Sequence, residues 1–121
     1  MMGKRKLLYW EGSSKKDFKK FPVPVQKDMG VSLFIVQLGG APDSVKPWKG
    51  LGSGVYELVE DDRGDTFRAI YTVKVGNAVH VLHAFQKKSK SSIATPQPDV
   101  ELIAKRLKAV LTRYAESRRT Q

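Results

Sequence analysis

The stretch TFRAIYTVKVGNAVHVLHAFQKKSK, residues 66–90, constrains the fold more than any other part of the chain. Residues 66–74 and 78–86 are rich in Val, Ile, Thr and aromatics, which suit a pleated, half-buried surface, and the break between them holds Gly76-Asn77. This predicts a β-hairpin turning at 75–78. If Val75 faces Ala78, antiparallel counting sets Thr72 opposite Val81, Ile70 opposite His83, Arg68 opposite Phe85 and Thr66 opposite Lys87. Arg68, His83 and Lys87 then share one face. Phe67, Ala69, Tyr71, Val73, Leu82 and Ala84 share the other, an apolar surface suited to lie under helices. The plain alternative for the cationic face is a solvated sheet surface, and a one-residue slip would scatter the group.

The rest of the chain reads as one α+β domain spanning 1–121, with no internal repeats. A short strand is expected at 7–10. A helix follows from Ser14, with capping-box spacing to Asp17 and with Phe18 and Phe21 facing inward. Pro24 opens a second helix to residue 38, in which Val25, Met29, Leu33 and Val36 form a buried stripe and Gly39-Gly40 the stop; Phe34 and Ile35 are also assigned to packing. Residues 41–54 read as an irregular loop and 55–60 as a strand. The acidic run 61–65 is then a five-residue connection to the central hairpin, and Arg63-Gly64-Asp65 in it reads as turn chemistry. Pro96 and Pro98 open a last helix with the stripe Val100, Ile103, Leu107, Val110 and Tyr114, and residues 117–121 are expected to fray as a basic tail. The order is β-α-α-β-β-β-α, with an antiparallel sheet over 55–86 and the first two helices on one face.

Charge narrows the function. Twenty-two Lys and Arg against twelve Asp and Glu give a net charge of +10, which favours a polyanionic partner, nucleic acid before membrane, or simply aids solubility. There is no cysteine, so thiolate catalysis, disulfides and cysteine-ligated metals are excluded, and a reducing cytoplasm is the expected compartment. No signal peptide or membrane span can be placed. The loop residues Lys46, Trp48 and Lys49 interleave cations with an aromatic ring, a composition that grips phosphate and stacks bases; the alternative is a loop pinned by a buried Trp48. His80 and His83, three apart on a regular strand, point to opposite faces and form no ligand pair, and the carboxylates at 61–65 lack calcium-loop spacing, so neither metal nor cofactor is expected.

The segments LGSGVYELVEDDRGDTFRAIYTVK and AVHVLHAFQKKSKSSIATP, together with the order of elements, resemble the RelE/ParE superfamily of toxin–antitoxin toxins, in particular its phage-related HigB-like branch. The resemblance covers nearly the whole chain. It implies a RelE-like fold and a metal-independent mRNA endoribonuclease that works in the ribosomal decoding site and is silenced by a HigA-like helix-turn-helix antitoxin. The ParE branch implies instead a poison of DNA gyrase, and a non-catalytic nucleic-acid-binding protein is the third reading. By position, Arg68 falls where such nucleases place the strand arginine on the scissile phosphate, and Lys88 falls on the cation after the last strand, with Lys87 beside it and Lys90 as a further RNA contact. The tyrosine these nucleases carry at the start of the last helix is replaced by Ile93, Ala94 and Thr95. Relatives that use a histidine or a carboxylate make His83 and Glu57 the candidates, although a regular hairpin would turn Glu57 away from Arg68 unless a bulge in the strand brought it back.

Overall fold

The computed structural model describes residues 4–87 and 95–119. A five-stranded sheet in the order β1-β5-β4-β3-β2 is built from β1 (Leu7–Trp10), β2 (Val45–Pro47), β3 (Val55–Asp62), β4 (Asp65–Thr72) and β5 (Ala78–Lys87). Only β1–β5 is parallel; the other pairs are antiparallel. Helices α1 (Ser14–Phe18) and α2 (Val23–Gln37) cover one face, and α3 (Gln97–Arg119) packs on the other. The expected architecture is present, with one addition: β2 lies inside the stretch expected to be an irregular loop. Three residues carrying a proline give no periodicity to read.

Two cores result. Phe18, Phe21, Val25, Met29, Leu33 and Val36 bury against Leu58, Phe67, Ala69, Tyr71, Val79, Val81 and Ala84 on the α1/α2 side. On the α3 side, Ile103, Leu107 and Val110 bury against Val55, Ile70, Leu82 and Phe85. Helix α2 stops as its glycines suggest: the Gly39 and Gly40 amides donate to the Val36 and Ile35 carbonyls, the paired bonds of a Schellman motif. Phe34, expected to pack, is instead 44% exposed on the outer side of α2.

Three local readings are corrected. The expected capping box does not form, because the Ser14 hydroxyl is buried and donates to the Val81 carbonyl, while Ser13 Oγ donates to Asp17. The β3–β4 connection is two residues, not five: Arg63 and Gly64 both have positive φ (52° and 88°), the geometry of a tight hairpin turn. Finally, β5 is bulged. Ile70 faces His83 but Tyr71 faces Val81, so Leu82 is the extra residue and Thr72 faces His80 rather than Val81. Leu82 therefore joins the α3 core instead of the α1/α2 face to which a regular strand assigned it.

The bulge is held from α3. Arg106 Nη1 donates to the Leu82 carbonyl at 2.8 Å and Nη2 to Ser13 Oγ at 3.0 Å, so the irregular backbone keeps a hydrogen-bond partner. Its guanidinium lies against Gly12, whose φ is +54° and whose Cβ, if present, would sit 2.7 Å from Arg106 Nε. The positive φ favours glycine there, and any larger residue would also push the Arg106 guanidinium aside.

Candidate active site

Both irregularities decide which side chains meet on the α3 face. Opposite residues across the two-residue turn pair Glu57 with Ile70, and Ile70 with His83 on the next strand. Because side chains alternate along a strand, Glu57 stands on the same face as Ile70 and Arg68. A five-residue connection would have flipped all of β3. Glu57 instead accepts a hydrogen bond from Arg68 Nη1 in a tight ion pair, with both side chains mostly buried. No bulge in β3 is needed. Arg68 Nε is also buried and has no hydrogen-bond partner among the described residues, so the guanidinium keeps donor capacity beyond its carboxylate.

Lys87 pairs with Thr66 at the end of β5, on the same face. Partial desolvation and then the charge of Arg68 hold its ammonium below the ordinary lysine pKa, with Glu57 opposing. On the other side of Glu57, β2 places Lys46 directly opposite it in register. Trp48, two residues on, packs partly buried against the α3 core, and Lys49 is exposed in the turn beyond. The two readings of Trp48 thus converge on a half-buried ring. Lys88 and Lys90 lie outside the described residues.

His83 shares the face but is committed to packing and a bond. It is 6% exposed, stacks on Phe85 with ring centroids 4.8 Å apart, and its Nε2 lies 2.7 Å from Asp99 Oδ1 in the first turn of α3. Its Nδ1 is buried without a partner among the described residues. Asp99 is a residue that sequence reasoning missed; a lone acid at a helix start reads as dipole chemistry. His80 also faces α3, because the bulge removes the expected opposition between the two histidines. It bonds a different carboxylate, Glu11, at 2.9 Å. Among the described residues no group of three or more His, Cys, Asp or Glu side chains is placed to hold a metal ion.

The Glu11 site makes a pH prediction. Burial alone would raise the Glu11 carboxyl, but bonds from His80 and Arg113 outweigh it and hold the pKa below its ordinary value. A lowered folded-state pKa gives stability that is complete above the unfolded value of about 4.3 and lost as pH falls through the folded one. Glu11→Gln is therefore expected to cost about 1–2 kcal/mol at neutral pH, with the gap to the parent closing in urea melts below about pH 4.

A glutamate–arginine pair flanked by two lysines, on a sheet face bounded by one helix, is an electropositive site with one embedded acceptor. Such a site suits a phosphodiester. Residues 16–108 match the family described as Phage derived protein Gp49-like (DUF891). The chain belongs to that family. Among solved structures, the free-state structure of E. coli toxin RelE carrying two arginine-to-alanine substitutions is similar to this Gp49-like protein at a TM-score of 0.59 and 16% identity, over 88% of this chain and 99% of that one. At that identity the likeness shows the fold, which is the RelE fold expected from the strands. No curated protein matches the sequence. Among the described residues of this Gp49-like chain, no helix is long and apolar enough to cross a membrane.

Proposed function

We propose that this Gp49-like protein is the toxin of a toxin–antitoxin pair and acts as a ribosome-dependent mRNA endoribonuclease of the HigB-like kind. The observation that carries the reading is the Glu57–Arg68 pair, set between Lys46 and Lys87 on the α3 face of a RelE-like sheet. RNA cleavage without a metal requires a base for the 2′-hydroxyl, cations for the phosphorane charge and an acid for the leaving 5′-oxygen. An incoming phosphate competes with Glu57 for Arg68. As Arg68 turns to the phosphate, Glu57 is released to accept the 2′-hydroxyl proton; the 2′-oxygen attacks phosphorus, and Lys87 protonates the departing 5′-oxygen. The products are a 2′,3′-cyclic phosphate and a 5′-hydroxyl. His83, stacked on Phe85 and bonded to Asp99, positions α3 over the site rather than moving the proton.

A surface this cationic holds RNA without orienting it, and in-line geometry accounts for much of the barrier, so the ribosome supplies the substrate's shape. An antitoxin of the HigA-like helix-turn-helix type is the matching partner, and the cytoplasm, where ribosomes are, the working compartment. The test is cleavage of a reporter mRNA in a purified translation system with and without ribosomes, beside a gyrase supercoiling assay. Cleavage only with ribosomes is expected. Gyrase inhibition without cleavage would replace the reading with a ParE-like one.

Phosphate-led binding also predicts a salt effect. Replacing Lys46 and Lys49 with alanine removes about two phosphate contacts, which should flatten the slope of log affinity against log salt for single-stranded RNA by about 1.4. Filter binding from 50 to 300 mM salt, as an assay range of roughly the span over which such affinities collapse, measures it, and an unchanged slope would remove these lysines from the interface.

A further inference from the structure

On the other flank of α3 from Arg68, still on the same face of the sheet, lies a cleft of about 740 Å³. β1 and the start of β5 floor it, the C-terminal half of α3 walls it, and residues 75–77 close one end. The cleavage centre uses none of these groups. Its floor holds one buried carboxylate: Glu11 bonds the mostly buried His80 at Nδ1 and is closed from α3 by the exposed Arg113. That arrangement fixes the plane of the imidazole. Tyr9 stacks on it with ring centroids 5.1 Å apart and planes 21° from parallel, yet Tyr9 remains 45% exposed. Tyr114 supplies a second ring, against Gly76. Lys4 and Arg113, the latter 60% exposed, add cations to the lining.

We propose that this cleft binds a nucleotide of single-stranded RNA, with its base stacked on Tyr9 and its phosphate toward Lys4 and Arg113. A ring oriented by a buried, bonded partner and left half uncovered is a stacking platform, and stacking tolerates any base. The volume is that of small-ligand clefts. An acidic peptide would satisfy the cations but leave the oriented ring without purpose. From Glu57 to Tyr9 is three strand spacings, about 14 Å, across the sheet and two residues, about 7 Å, along it, or about 16 Å in all, so a strand of a few nucleotides reaches both places. The inference rests on RNA as the ligand, not on its cleavage.

The test titrates the full-length, ¹⁵N-labelled chain with hexaadenylate RNA in the absence of ribosomes. Saturating amide shifts are expected at Tyr9, Gly76, His80 and Tyr114. Tyr9→Ala should weaken the affinity read from these shifts about tenfold, and Tyr9→Trp should preserve it. The same cleft shifts are expected in an Arg68→Lys variant, so loss of cleavage and loss of this site are told apart. Shifts confined to Glu57 and Arg68 would overturn the proposal. So would cleft shifts reproduced by inorganic phosphate alone, or by a polyglutamate peptide when hexaadenylate gives none.

Discussion

Arg68→Lys is expected to fold like the parent and to cleave ribosome-bound mRNA on the order of a hundredfold more slowly. Removing one electrostatic donor from a developing oxyanion typically has an effect of this size, and a lysine cannot supply the planar fork that grips a phosphate through two donors. The obvious variant, Arg68→Ala, is expected to lose activity too, but for two reasons at once. Glu57 is buried and its carboxylate is bonded to Arg68, so alanine strands a buried charge at a cost of about 3–5 kcal/mol. Loss of toxicity in that variant would say nothing about chemistry. The deciding comparison adds Glu57→Gln/Arg68→Gln, which neutralises both partners: stability should return to within about 1–2 kcal/mol of the parent while cleavage stays abolished. Single-turnover cleavage rates and urea midpoints on the same four preparations separate the effects. A well-folded Arg68→Lys protein that cleaves at the parental rate would sink the phosphate-binding role.

How far the sequence discloses the site depends on two short irregularities. The central hairpin was legible because β-branched and aromatic residues flank a Gly-Asn break, and its pairing at Arg68/Phe85, Ile70/His83 and Thr66/Lys87 follows from counting back from the turn. That agreement includes a compensation. The strands end at Thr72 and begin at Ala78, and the extra residue at Leu82 offsets the wider loop between them. No local signal marks Leu82, a good strand residue in a run of good strand residues; what holds the bulge is Arg106, 24 positions away. For β3 the signal was present but outweighed. Asp62-Arg63-Gly64-Asp65 contains a two-residue turn, yet the acidic run 61–65 reads as one polar connection, and the difference between two and five residues inverts every β3 side chain. The resemblance therefore points to Glu57, while a five-residue connection puts it on the wrong face. The charge of Lys46 is plain in the sequence, but its position opposite Glu57 depends on a three-residue strand too short to leave a pattern.

The same division of the sheet into two faces gives the second large effect, on stability. Ile103 of α3 is fully buried in the core that holds Ile70, Leu82 and Phe85, whereas Leu58 is fully buried on the α1/α2 side. Each truncation to alanine removes three side-chain carbons and leaves a cavity, for an expected loss of about 2–5 kcal/mol. The losses should differ in kind. Besides Ile103, α3 fully or nearly buries only Leu107 and Val110 against the sheet among the described residues, with Asp99 and Arg106 tying it to β5, so Ile103→Ala should let α3 open while the α1/α2 core stands. Leu58 is one of thirteen buried residues drawn from α1, α2, the turn between them and the sheet, so Leu58→Ala should weaken the whole molecule together. Amide hydrogen exchange distinguishes the two: in Ile103→Ala the protected amides of residues 100–112 should exchange faster than those of β4, and in Leu58→Ala the two sets should accelerate in step. Cleavage should follow the first pattern and not the second. Opening α3 withdraws Asp99 from His83 and uncovers the face that carries Arg68, so Ile103→Ala should be less active than an equally destabilised Leu58→Ala at temperatures where both remain folded. Equal activity in the two variants would show that α3 takes no part in holding the site.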